Sequence, residues 1–206
     1  MTSLYCLDIS MSAGRAFFDS PTALPKCKTW KARSPWDTPE YASYFLELEN
    51  WFLDELSVFK PDIVGFESPV IGSFGAGRGS DENNLRRLIG AVTVIELACA
   101  REAIPCHEAH VQTCKAFMGI PGRRPQDMTV GQYKDLMTIA MSRRGFACAD
   151  SHQADAVAVA LVVYSDLGLI DELLSTSPAP NGSRRAQSAV ASAASWYPCR
   201  RRIWPS

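Results

Sequence analysis

Residues 150–164 read DSHQADAVAVALVVY, and this stretch decides what the chain can be. His152 and Asp155 stand three positions apart, and nine apolar residues follow without a break. On a helix, positions i and i+3 share a face. The apolar run is too short to cross a bilayer and suits a helix buried in a core. Asp150, with Gln153 three positions on, has the spacing of a capping box. The stretch therefore predicts a buried helix that starts near Ser151 and shows His152 and Asp155 in its first turns. A lone charge is too costly to bury, so the pattern also predicts something cationic beside Asp155.

Length and composition bound the rest. A chain of 206 residues accommodates one domain with a substantial core, here expected over 1–174, followed by a tail over 175–206. An apolar content of 47% and a charged content of 21% are ordinary for a globular chain. The formal net charge of −1 exerts no global pull on nucleic acid or membrane, so any basic surface has to be local. The seven cysteines form no CxxC pair, and Cys6, Cys99 and Cys148 lie in apolar contexts. That favours packed, reduced thiols over a disulfide framework or a zinc site. No basic leader with a hydrophobic run opens the sequence, and nothing has transmembrane length. The expected setting is reducing and cytoplasmic, with no membrane partner.

In chain order, residues 4–9 (LYCLDI) have the pattern of a strand buried on both faces, interrupted by Asp8. Alone, Asp8 reads equally as an acid capping a turn. Residues 15–19 and 26–31 are two more strands, and their short links predict an antiparallel meander. Thr38 and Pro39 open a helix, in which Tyr41, Phe45, Leu48, Phe52, Leu56 and Phe59 recur at steps of three or four. That stripe is core and not a base-stacking surface. Residues 62–66 form another short apolar strand, with Glu67 at its carboxyl end. In open α/β sheets, sites gather outside the carboxyl ends of strands.

Residues 71–81 hold four glycines and Arg78 but lack the lysine and spacing of a phosphate loop. They read as a loop beside the site. Residues 84–104 predict a long helix, apolar over more than one face, that is either central or part of an oligomer interface. Residues 106–111 predict a strand with His107 and His110 on opposite faces, which rules against a joint metal site. Lys115 follows in a segment of mixed character. A Pro/Gly/Arg loop over 119–126 precedes a helix over 129–144 that carries Lys134 early and stops at Gly145. From about 175 Ser, Ala and Pro dominate, with scattered arginines, as in a flexible tail.

Three strand or helix ends thus present acid: Asp8, Glu67 and the His152/Asp155 pair. Clustered carboxylates repel one another unless cations lie between them. Mg²⁺ suits such oxygen ligands, and an imidazole in the set tolerates Mn²⁺. Two ions about 4 Å apart can clamp the attacking and leaving oxygens of a phosphodiester. His152 could instead handle protons near neutral pH.

The order of these features resembles the RuvC family of Holliday-junction resolvases: an acid in the first strand, an antiparallel hairpin, a helix, then VGFES, a long helix, VQTCKAF, QYKDLM and HQADA. The resemblance runs from about Leu4 to Leu167 and rests on order and spacing, not on a single motif. It implies an RNase H-like α/β fold, a mixed five-stranded sheet flanked by helices with the antiparallel meander first and the parallel strands after. It implies that Asp8, Glu67, His152 and Asp155 are catalytic and hold two Mg²⁺ ions, with Mn²⁺ also supporting activity. Lys115 and Lys134 match the family's phosphate-contacting lysines, although Lys134 also reads as a solvated surface charge. Arg123, Arg124 and Arg78 complete the expected DNA-binding set.

The implied function is a structure-selective endonuclease acting on four-way or branched DNA. The implied assembly is a homodimer through 84–104, in a bacterial or phage-infected cell. The chain departs from the family in the longer loop over 119–131 and in the tail, which bear on junction selectivity more than on catalysis. Two alternatives stand beside this reading: a nuclease of the same superfamily acting on RNA–DNA hybrids or single strands, and a non-catalytic protein that binds branched DNA.

Overall fold

The apolar run near the start of the chain becomes a central strand. β1 (Leu4–Asp8) is buried except at its last residue. It pairs antiparallel with β2 (Ser12–Phe18) on one side and parallel with β4 (Ile63–Ser68) on the other. β3 (Lys26–Lys31) extends the sheet beyond β2, antiparallel, and β5 (Cys106–His110) extends it beyond β4, parallel. The order is β3-β2-β1-β4-β5, the expected mixed sheet with the meander first and the parallel strands after. The computed structural model describes residues 2–10, 12–33, 41–69 and 82–170. The expected helix start at Thr38, the loop over 71–81 with Arg78 and the tail from 175 lie outside them.

Side chains alternate between the two faces of a strand, and β1 shows it. Leu4 and Cys6 pack into one cluster, Tyr5 and Leu7 into the other. The first layer contains α3 (Val111–Phe117), α4 (Val130–Arg143) and α5 (Ser151–Asp166). The second contains α1 (Tyr41–Phe59) and α2 (Glu82–Arg101). The segment of mixed character around Lys115 is therefore helix: α3 follows β5 with no intervening loop. The α1 stripe is shifted from the expected one at its start. Tyr44, Leu48, Phe52 and Leu56 are its buried residues, while Phe45 turns to pack its ring against Gly90 of α2.

α2 ends earlier than residue 104 because Ala103 takes a left-handed conformation (φ 54°). The Ile104 amide then donates to the Cys99 carbonyl at 2.9 Å, closing the helix. Among the described residues no helix is long and apolar enough to cross a membrane.

α5 is the helix predicted from residues 150–164, and it is buried continuously from Ala156 to Tyr164. Its N-cap is Asp150, whose carboxylate accepts from the Gln153 amide at 2.9 Å and from Thr29 Oγ1 at 2.5 Å. Gln153 returns a contact through Oε1, but to the Ala149 amide (3.0 Å), one residue upstream of a strict capping box.

Two strand glycines let the helix lie close. A Cβ on Gly65 would come within 2.7 Å of Cys6 Sγ and 3.1 Å and 3.3 Å of methyls of Val163 and Val159. A Cβ on Gly14 would overlap the His152 carbonyl, a backbone group that cannot rotate away. Gly14→Ala should therefore lift the start of α5 off β2 and destabilise the fold by about 2 kcal/mol or more, as overpacking does. Urea unfolding measures it; an unchanged midpoint would mean that α5 does not rest on β2 there.

Candidate functional site

Strand register builds the platform of the site. Asp8 stands beside Gly14, Gly14 beside Thr29, and Glu67 beside Ala109. The β1–β4 pairing ends with Leu7 beside Phe66, so Asp8 and Glu67 are the next rung. Neighbouring strands stand about 4.8 Å apart, and residues in register point to the same face. Asp8 shares its face with Leu4 and Cys6, and Glu67 shares its face with Gly65, so both acids lie on the α5 side. They emerge side by side where the apolar strands end.

α5 begins directly above this row. His152 Nδ1 and Asp8 Oδ2 are 2.8 Å apart. Asp155 lies one turn further along, on the helix face that continues to Val159 and the sheet. Lys115 comes from α3, is half-buried, and holds its ammonium 5.0 Å from the centroid of the Tyr133 ring. Lys134 is exposed on α4.

The electrostatics show that these groups share one field. Burial, followed by the charges of Asp8 and Asp155, pushes Glu67 up to about 8, with Lys115 opposing. Burial and the charge of Asp8 push Asp155 up to about 7, with Lys115, His152 and Lys134 opposing. The hydrogen bond to Asp8 raises His152 despite its partial burial. Like charges crowded in a weakly screening environment behave in this way.

Three carboxylates and one imidazole form an oxygen-rich donor set, the chemistry that suits Mg²⁺ and accepts Mn²⁺. The donor chemistry therefore fits a divalent ion. Among the described residues no three His, Cys, Asp or Glu groups converge as the ligands of one ion. Asp8, Glu67, His152 and Asp155 are gathered at one end of the sheet. The contact with Asp8 uses His152 Nδ1 and leaves Nε2 and the second Asp8 oxygen for an ion.

The remaining expected residues divide. Arg123 is exposed. Arg124 donates from its guanidinium to the Met128 carbonyl and so braces its own loop. His107 and His110 sit three apart on β5 and so face opposite sides, as expected. Sequence reading placed Gly14 in a turn before a second strand over 15–19, whereas β2 starts at Ser12 and contains Gly14. It passed over Thr29 and the second role of Gln153, whose Nε2 donates to Thr29 Oγ1 at 3.2 Å. A glycine inside a strand is a legible sign of close approach. A threonine in a strand carries no such sign.

No protein-family model matches the chain, and no curated protein matches it in sequence. Solved structures do match. RuvC of T. thermophilus in complex with a Holliday junction substrate is similar at a TM-score of 0.57 and 15% identity, over 82% of this chain and 98% of that one. A second structure of Thermus thermophilus RuvC gives a TM-score of 0.53 at the same identity and coverage. The yeast mitochondrial Holliday junction resolvase Ydc2 gives 0.45 at 10% identity, over 95% of this chain and 85% of that one. The fold is thus RuvC-like, of the RNase H-like kind. At such low identity the likeness speaks to fold, and chemistry has to be argued from the residues.

The three shifts share one consequence for stability. A carboxylate whose pKa rises on folding leaves stability untouched at low pH and lowers it as pH climbs from its ordinary value to its folded one. For Glu67 that window runs from 4.5 to about 8, and for Asp155 from 3.8 to about 7. The raised His152 adds stability at low pH that is lost as pH climbs through its folded value. In EDTA the Tm should therefore fall between about pH 4.5 and about 8, and Glu67→Gln should flatten the fall. Thermal melts across that range check it; a Tm that holds or rises would mean that the acids are not crowded.

Proposed function

We propose that the chain is a metal-dependent, structure-selective DNA endonuclease that hydrolyses phosphodiester bonds in four-way or branched DNA. One observation carries this reading: in a RuvC-like fold, Asp8 and Glu67 end neighbouring strands directly beneath the His152/Asp155 face of α5. Asp8, Glu67, His152 and Asp155 would hold two divalent ions, Mg²⁺ with Mn²⁺ also suitable. When bound, such ions activate a water and stabilise charge on the leaving oxygen.

The chain's own residues do the rest. The buried carboxylates concentrate negative charge where cations are needed. His152, oriented by Asp8 through Nδ1, would present Nε2 to an ion. Lys115, held against Tyr133 and felt by both Glu67 and Asp155, offers positive charge to a pentavalent phosphate. Lys134 and Arg123, both exposed, would contact flanking phosphates.

A homodimer through α2 belongs to the same reading. α2 buries Ala91, Ile95, Ala98 and Cys99 against its own domain, while Ile89 and Leu97 stay 44% and 51% exposed on its outer side. A junction is cut on two strands, and a two-fold dimer supplies two sites. The proposed setting is the cytoplasm of a bacterial or phage-infected cell, where the six free thiols among the described residues would stay reduced.

Cleavage of a synthetic four-way junction, a linear duplex and an RNA–DNA hybrid, each in Mg²⁺, Mn²⁺ or EDTA, tests the proposal. The junction should be cut with either ion and not in EDTA. Asp8→Asn should abolish cutting while the junction is still bound, since it removes a ligand charge with little change of shape. His152→Ala should lose most activity, and His152→Asp should keep part of it in Mg²⁺. A hybrid cut in preference to the junction would move the substrate to the RNase H-like alternative. Binding without cutting under every condition would leave a non-catalytic protein. Sedimentation should find a dimer at micromolar concentration; a monomer with full cleavage would mean single-strand nicking.

A further inference from the structure

We infer that the outer end of the edge strand β3, at Lys31 with Arg33 beyond it, is a second contact for the backbone phosphates of the DNA, on the flank of the acidic site opposite Lys115 and Lys134. This rests on the nuclease reading and goes beyond it by assigning the path of the strand.

The sheet itself places Lys31. β3 is antiparallel to β2, and β2 to β1, so β3 runs parallel to β1 and ends at the same edge as Asp8 and Glu67. The odd residues of β3 face the α5 layer: Cys27 packs against that cluster, and Thr29 Oγ1 donates to Asp150. Lys31 has the same parity. α5 begins over the Gly14–Thr29 rung. The next rung outward on this face is Ser12 beside Lys31, past the start of the helix, with Ser12 half-buried and Lys31 exposed. Arg33, beyond the strand end, is also exposed, with its backbone amide donating to Glu47 of α1 at 2.7 Å. Lys31 has no ion-pair or hydrogen-bond partner among the described residues, whereas Lys26, at the other end of the strand, is held by Asp19 at 2.8 Å.

Charge arithmetic gives this position a purpose. An acid-lined site repels phosphate, and the chain as a whole carries a formal net charge of only −1. Local cations have to draw the backbone in. Lys115 and Lys134 lie on the α3/α4 side, and contacts on one side alone would let a strand pivot about the point of cleavage. From Glu67 to β3 is three strand spacings, about 14 Å. With one phosphate per about 3.4 Å of helix axis on each strand, several phosphates cover that distance. The scissile strand then crosses the sheet end from α3/α4, over the acids, to Lys31. Lysines on an edge strand also guard against edge-to-edge pairing, so the experiment has to separate the two roles.

Junction binding by the full chain is measured against salt in EDTA for the wild type, Lys31→Ala, Lys31→Glu and Lys60→Glu. Lys60 is exposed at the end of α1, just before β4 begins, and so lies at the opposite edge of the sheet. Thermal melts confirm that each variant is folded. Lys31→Ala should make the slope of log K against log salt shallower by about 0.9, one phosphate contact. Lys31→Glu should weaken binding further, and Lys60→Glu should match the wild type. Neutral methylphosphonates placed along the cut strand should weaken wild-type binding on both sides of the scissile bond. In Lys31→Ala the sensitivity on one side should disappear. An unchanged slope in Lys31→Ala, or equal weakening by Lys60→Glu and Lys31→Glu, overturns the inference and leaves Lys31 as an edge guard. A wild type that neither binds nor cuts branched DNA overturns the nuclease reading itself, and this inference falls with it.

Discussion

The first turn of α5 touches the backbone of β2 at Gly14, and the arrangement of the site depends on that contact. A side chain at Gly14 would overlap the His152 carbonyl. Without one, the helix descends far enough for Asp150 to reach Thr29 and for His152 to reach Asp8. These contacts fix the tilt and the rotation of α5 at its start. Further along, Gly65 admits Val159 and Val163 against β4 and extends the same line of contact. The helix is clamped along its length, so the position of Asp155 follows from backbone packing and does not depend on its own side-chain contacts.

That clamp works against electrostatics. Glu67 and Asp155 sit where burial and neighbouring acids both resist ionisation. Left to their charges, these groups would separate. The apolar part of α5 holds them together: Val157, Val159, Leu161, Val162 and Val163 are all nearly fully buried. Each such side chain stabilises the fold by about 1.5–3 kcal/mol, and together they exceed what a crowded pair of partly solvated acids costs. The result is a preorganised cluster of acids with Lys115 on one flank.

Much of this was legible in the residues. The N-cap at Asp150, the helix start at Ser151 and the buried run after it are local patterns, read from spacing within a few positions. Asp8 and Glu67 stood out because each interrupts or ends an apolar strand. The antiparallel meander followed from short links early in the chain, and the mixed sheet from the resemblance to the RuvC family. Other features were misread or passed over. The buried α1 positions include Tyr44, which the aromatic stripe omitted, because α1 packs on a twisted sheet and on α2 at once. Arg124 also donates to the Met128 carbonyl of its own loop, a contact that composition does not record.

By itself, then, the sequence determined most of the elements, the cap of α5 and its buried run, and which polar residues would stand at element ends. Those properties depend on intervals of two to four residues, where helix and strand geometry leaves little freedom. Only the tertiary structure decided who meets whom. That Asp8 bonds His152 across 144 positions, or that Thr29 donates to the helix-capping Asp150 across 121, depends on strand order and register. Register is a non-local outcome: shifting β2 by one residue would turn Gly14 to the opposite face and close the space that α5 occupies. The individual donors of the site were visible one at a time, and their assembly came from the sheet.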